Sequence, residues 1–295
     1  MGYDLNHRLN DRWSLRHSFR YSYLQAEQRE AFVLDLLDDF RTLERLGELF
    51  ETNINNYQAT AFVTGEFETG AIAHTLSTGI DYVFEENFLN FQSFAVQPID
   101  LFDPVYTGVG DPLPGEQGSS RFTNQGWGVY LQDQLRVWGD RLIVLLGGRV
   151  DFVNASSEDR QEADSRESQS DTAFSPRVGI LFKPAENISL YGSYSRSFQQ
   201  VTGRSATNTL FRPSRGTQWE VGAKADWLDG RLSTTLSLFD LTLSNVLTTD
   251  LDNPNFSVQT GEQRSRGVEL LAQGEILPNW NIVASVTSPK LLCNW

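Results

Sequence analysis

Four residues in the long polar segments of this chain have the chemistry to hold a ligand: Tyr106, Arg204, Phe211 and Arg212. A guanidinium offers a fixed fork of N–H donors suited to anionic oxygens. The plainer alternative for each of the four is packing within its own loop. Nothing else in the sequence points to catalysis. The three histidines, His7, His17 and His74, are scattered. His17 and His74 fall on apolar faces, where packing or lipid contact suits them better. Zinc-ligand spacing, a phosphate loop and a nucleophile elbow are all missing, so no catalytic residue is assigned. The acidic runs Glu158-Asp159 and Glu162 to Asp164 lack the regular ligand spacing of a calcium loop. They read as solvated loop, and no metal site is assigned.

The segments between these loops alternate with a period of two. In Phe174–Phe182, Phe174, Pro176, Val178, Ile180 and Phe182 share one face. Ile188–Phe198 follows after a short turn. Trp219, Val221, Ala223 and Ala225 alternate with Glu220, Gly222, Lys224 and Asp226, then Leu228-Asp229-Gly230 turns the chain into Leu232–Ser244. Such alternation marks strands with one apolar face, and a turn signal between two of them marks an antiparallel hairpin. The runs are long for a soluble protein, whose strands usually hold about 3–10 residues. A tilted membrane-crossing strand needs about 9–11. The apolar face carrying Trp219, Val221, Ala223 and Ala225 is therefore expected to meet lipid. Glu220, Lys224 and Asp226 are expected to face a hydrated lumen.

The same pattern fills the rest of the chain. Trp13 to Tyr23, Asn55–Phe67, Ile72–Phe84, Trp127 to Val137, Leu142 to Phe152, a run through Val268, and Trp280 to Val286 bring the total to about twelve strands. Connections near residues 10, 69, 139, 185, 229 and 278 are short. Segments 25–53, 85–121, 154–172, 199–216 and 245–255 are longer, and they should all lie at the opposite end. Brief turns on one side and longer loops on the other are the asymmetry of an outer-membrane barrel. Within 25–53, Leu36, Phe40, Leu43 and Leu46 are spaced as on a short helix. Trp13, Trp138, Trp227 and Trp280 lie beside short turns, where an aromatic girdle at the membrane interface would put them. Trp138 breaks the parity of its strand and calls for a bulge or a lumenal position.

Composition narrows the class. Hydrophobic residues make up 39% of the chain, and no run approaches the length of a spanning helix. The formal charge of −14 argues against nucleic acid as a partner. The single cysteine, Cys293, excludes an internal disulfide. Ser288-Pro289-Lys290-Leu291-Leu292 departs from the alternation before it, so the chain divides into 1–287, a partial barrel, and 288–295, an aberrant or truncated tail. No signal peptide opens the sequence.

The order of several motifs resembles the barrel of TonB-dependent siderophore receptors. They are His74–Tyr82, Gly147-Gly148-Arg149-Val150-Asp151, Phe174–Gly179, Leu190–Phe198, Trp219–Lys224, Leu238-Phe239-Asp240 with Ser244-Asn245-Val246, and Thr260–Glu269, the most specific of them. The resemblance covers about residues 12–286. It implies an all-β fold, an antiparallel transmembrane barrel of which this chain is a partial wall, in the bacterial outer membrane. It further implies a monomer in outer-membrane lipid that binds a ferric siderophore, with iron carried as ligand and no cofactor of its own. Import would draw on TonB, contacted through an N-terminal region that, like the lumenal plug, is expected to lie outside this sequence. With Tyr106, Arg204, Phe211 and Arg212 as contacts, the ligand would be an anionic chelate. A passive porin and a soluble glycan-binding β-protein are the alternatives. The first and last strands are expected to leave free edges.

Overall fold

The computed structural model describes residues 1–294 apart from Val109, with the side chains of Thr260, Cys293 and Asn294 left aside. Its strands run in sequence order: β1 (Gly2–Arg8), β2 (Trp13–Leu36), β3 (Thr42–Thr69), β4 (Ile72–Ala95), the short β5 (Ile99–Asp100), β6 (Pro112–Val137) and β7 (Leu142–Asp159). They continue as β8 (Glu167–Ala185), β9 (Ile188–Gln199), β10 (Ser214–Trp227), β11 (Leu232–Thr249), β12 (Ser257–Leu277) and β13 (Trp280–Asn294). Every strand except β5 pairs antiparallel with its chain neighbours in one sheet, and β5 adds to β3. A β-meander of this kind needs only local turns. It sends the short turns to one end and the longer connections to the other. Among the described residues β1 and β13 pair on one side only, so the sheet is open.

Register fixes the two faces. Val221 pairs with Leu238, which pairs with Val268; Ala223 pairs with Leu236, which pairs with Leu270. Paired residues in an antiparallel sheet share a face, so this row is one apolar surface. Val221, Leu238, Leu236 and Leu270 are each about half exposed. The opposite face carries Glu220, Lys224, Tyr191, Arg149 and Asp81. The molecule has almost no buried hydrophobic core, only Ile99, Ala173 and Phe211 among the described residues. A sheet that leaves its apolar face uncovered is built for lipid rather than water.

Two aromatic rows bound the apolar surface. Trp13, Trp138, Trp227 and Trp280 lie at the short-turn end. Toward the other end, Tyr82 and Trp127 pack as tilted rings with centroids 4.3 Å apart, Tyr194 and Trp219 at 4.5 Å, and Tyr21 and Tyr57 at 4.8 Å. Sequence reading missed this second row because it sits inside strands, away from any turn. Trp219 and Trp227 are eight residues apart on β10. At about 3.3 Å per residue and a tilt of about 45°, they are separated by about 19 Å along the membrane normal. Trp127 and Val137, the last residue of β6 before Trp138, give about 23 Å by the same reckoning. The apolar band of outer-membrane barrels is about 25 Å tall.

Several sequence expectations are corrected. The helix-like spacing in 25–53 forms no helix: β2 runs on to Leu36 and β3 begins at Thr42. A short isolated helix must bear its own nucleation cost, whereas an existing hairpin lengthens pair by pair. The reversal is a tight turn in which Asp39 accepts from the hydroxyl of Thr42 at 2.6 Å and from the N–H groups of Thr42 and Arg41. These bonds hold the Asp39 carboxyl below the usual carboxylate range. Segments 85–121 and 154–172 are likewise shortened by strand, leaving connections at 96–111 and 160–166. Trp138 needs neither a bulge nor a lumenal position. It belongs to the turn, where Trp138, Gly139 and Asp140 have φ of 56°, 61° and 66°. Residues 288–294 do not break the strand: Ser288 pairs with Val268 and Leu292 with Arg264. Trp295 lies outside the described residues.

Asp133, a carboxylate on the apolar face, is answered locally. Nδ1 of His74 lies 2.7 Å from Asp133 Oδ2, and the imidazole stacks on Phe67 at 4.6 Å. The pair sits near the short-turn end, where headgroups and water reach it.

Candidate ligand site

The polar face concentrates its charges in matched groups. Arg149 donates to Asp81 at 2.5 and 2.8 Å and to Asp151 at 2.7 Å, bridging β4 and β7. The guanidinium crosses β6 over Gly128, where a Cβ would collide with it. Gly128→Ala should push Arg149 off both carboxylates and lower stability by about 2 kcal/mol. Urea unfolding of the membrane-inserted protein would measure this, and an unchanged midpoint would contradict the packing described. Further along the face, Tyr191 donates to Glu220 at 2.6 Å, Gln218 supports the same carboxylate at 3.1 Å, and Lys224 lies 5.5 Å from the Tyr191 ring centroid.

At the long-loop end, a cleft of about 390 Å³ opens on this polar face. Its floor is the outer part of β6, β7 and β8, contributing Phe122, Asn124, Ala155 and Gln169. Its roof is the segment 200–213 between β9 and β10, which folds over the sheet as a strap. The strap is a small hairpin: Arg204 bridges to Leu210, and Phe211 N–H donates to Gly203 O at 3.2 Å. Gly203 has φ 109°, a conformation that side-chain-bearing residues rarely adopt, and the Phe211 ring packs beside it.

Gln169 pins the strap to the wall. Its Nε2 donates to Phe211 O at 2.8 Å, to Val201 O at 3.1 Å and to Asp171 at 3.0 Å. Gln200 answers from the strap, donating to Gln169 O at 3.1 Å and Asp171 at 3.0 Å. Both glutamines belonged to segments whose polarity reads as solvated loop. The missed signal is parity: extending the alternation of β8 backward from Phe174 puts Ala173, Asp171 and Gln169 on the polar, lumen-facing side.

The four sequence candidates are not brought into one place. Arg204 lines the cleft, with Nε 3.9 Å from Glu167 and Nη1 donating to Asn208 O at 3.1 Å. Phe211 is buried within the strap. Arg212 is exposed, and its backbone N–H donates to Gln259 at 2.7 Å. Tyr106, 81% exposed on the connection before β6, does not line the cleft. The arrangement is suited to holding a molecule, and no group of three or more His, Cys, Asp or Glu among the described residues could hold a metal ion.

A family model described as TonB dependent receptor-like, β-barrel, matches residues 1–289. The chain is 30% identical over 311 residues to the ferrichrome outer membrane transporter/phage receptor of Escherichia coli, covering 97% of this chain and 41% of the relative. It is 29% identical over 290 residues to the ferrioxamine B receptor of Salmonella typhimurium, with 97% and 40% covered. The chain thus spans about two fifths of the length of these curated relatives. Among solved structures, the ferric-catecholate import receptor Fiu of Escherichia coli superposes with a TM-score of 0.83 at 19% identity, covering 98% of this chain and 46% of that one. The pyoverdine receptor FpvA of Pseudomonas aeruginosa gives 0.83 at 20% identity, covering 99% and 44%. At that identity the structures speak to the fold alone.

Proposed function

Because the chain belongs to the TonB-dependent receptor β-barrel family, we propose that it forms part of the wall of a receptor that takes ferric siderophores from outside and imports them with energy delivered through TonB. The barrel is a Gram-negative outer-membrane structure, and the family is one of transporters and receptors rather than enzymes. Iron is then cargo, held by its chelator, and the protein acts as a monomer in outer-membrane lipid.

The observation that carries this reading is the strapped cleft at the long-loop end of the polar face, where the lumen meets the outside. Arg204 and Phe211 act there through the strap. Tyr106 and Arg212 sit on neighbouring outer segments as first contacts for an arriving ligand. The four tryptophans beside the short turns anchor the periplasmic interface. A passive porin would need neither family membership nor a strapped cleft. A soluble glycan-binding protein would not leave Trp219, Val221, Leu238 and Leu270 open to solvent.

The test is accumulation of radioactive iron from ferric siderophores by iron-starved cells, with and without this protein. Uptake should require both the protein and a working TonB. Uptake that persists in a TonB-deficient strain would favour passive diffusion and sink the proposal.

A further inference from the structure

The polar groups of the cleft are unbalanced in a way that specifies its ligand. Two carboxylates, Glu85 and Glu167, line it against one guanidinium, that of Arg204. Arg204 is already engaged with Glu167 and the Asn208 carbonyl. A third carboxylate, Asp171, lies directly beneath and accepts from Gln169 and Gln200. The acceptor surplus extends into the floor. Gln169 is 8% exposed and spends its amide N–H groups on three oxygens, and its Oε1 has no donor. The Oε1 of Gln200 also has none. Buried acceptors without donors are costly, and both oxygens are closed off from the cleft's contents, so the N–H groups a ligand brings would answer the lining carboxylates Glu85 and Glu167 instead.

We propose that the cleft selects a ferric chelate that is neutral or cationic and rich in N–H donors, of the hydroxamate class, and disfavours catecholate chelates. Three hydroxamates, each a monoanion, neutralise iron(III), and a pendant ammonium makes the complex cationic. Three catecholates, each a dianion, leave it trianionic. A trianion would meet Glu85 and Glu167 against the single guanidinium of Arg204, with Asp171 behind the cleft wall. Like-charge juxtaposition costs several kcal/mol. The loop arginines, which taken alone suggest an anionic ligand, do not supply that environment: Arg204 is outnumbered by Glu85 and Glu167, and Arg212 lies outside the cleft. This inference rests on the ferric-siderophore reading of the same site.

The test is equilibrium binding of radioactive iron chelates to outer-membrane vesicles carrying the protein in its natural sequence context, against vesicles lacking it. The probes are a linear ferric trihydroxamate with a free primary ammonium, a neutral cyclic ferric trihydroxamate and a ferric tris-catecholate. Both hydroxamates should bind, with the catecholate about a hundredfold weaker or more. The double variant Glu85→Gln and Glu167→Gln should weaken the ammonium-bearing chelate about tenfold and leave the neutral one nearly unchanged. Arg204→Gln, a second variant, removes the one guanidinium of the cleft and should lower catecholate binding further relative to the ammonium-bearing chelate. Heat-modifiable migration on gels reports whether each variant is folded. Preferential catecholate binding would overturn the charge-class inference while leaving the siderophore-receptor reading intact. Insensitivity of the ammonium-bearing chelate to the folded double variant would also overturn it. Binding of none of the three would overturn the receptor reading and this inference together.

Discussion

Leu236→Arg should keep the protein from assembling in the outer membrane, while Lys224→Ala should assemble normally. Leu236 pairs with Ala223 on one side and Leu270 on the other. Ala223 lies midway between Trp219 and Trp227, so this row sits near the middle of the apolar band. Arginine at that depth on the lipid face costs about 2–4 kcal/mol, falling toward zero at the interfaces. Val221→Arg, two residues nearer Trp219, should do the same to a smaller degree. Lys224 lies on the other face, over the Tyr191 ring, where its charge stays hydrated and its loss removes a single weak contact. Assembly is measured by heat-modifiable migration and by protease resistance in isolated outer membranes. Equal tolerance of Leu236→Arg and Lys224→Ala would reverse the assignment of faces.

Gln169→Leu should weaken chelate binding by about tenfold to a hundredfold with little change in barrel stability. The substitution removes the donor that ties Phe211 O and Val201 O to the wall. Each orphaned carbonyl costs about 1–3 kcal/mol if the strap stays docked, so the strap undocks. A ligand that requires the docked strap then binds in proportion to that state's population. The β7–β8 ladder, from Leu142–Phe182 to Ser157–Glu167, does not depend on the Gln169 side chain. Protease cleavage after Arg204 should speed up in parallel. Unchanged affinity in a folded variant would show that the strap is no part of the site.

The strands and their faces were legible because lipid on one side and water on the other impose a period of two that survives without any alignment. The turns were legible for a related reason. Gly70 at φ 64°, and Asp229 and Gly230 at 57° and 81°, are where sequence chemistry tolerates a left-handed backbone. Strand ends at the outer side were not legible. Above the Tyr82–Trp127 row both faces meet water, so Glu86, Asn90 and Gln92 carry no alternation although the β4–β6 ladder continues through them. The His74–Asp133 pair was hidden because its partners meet only through the register of β4 against β6. The cleft was half legible. Arg204 was found by residue type, but the groups that set its chemistry, Gln169, Gln200, Glu85 and Glu167, look like solvated polar residues until the strap is seen folded over them.

The most direct measurement is labelling of single cysteines in intact cells with a membrane-impermeant maleimide, in a Cys293→Ser background. Leu210→Cys, at the exposed edge of the cleft, should react from outside and be protected by a bound ferric siderophore. Asp229→Cys, in a short turn at the other end, should react only after the outer membrane is permeabilised. Reaction of Asp229→Cys in intact cells, with Leu210→Cys silent, would contradict the orientation, the lumenal site and the receptor they compose.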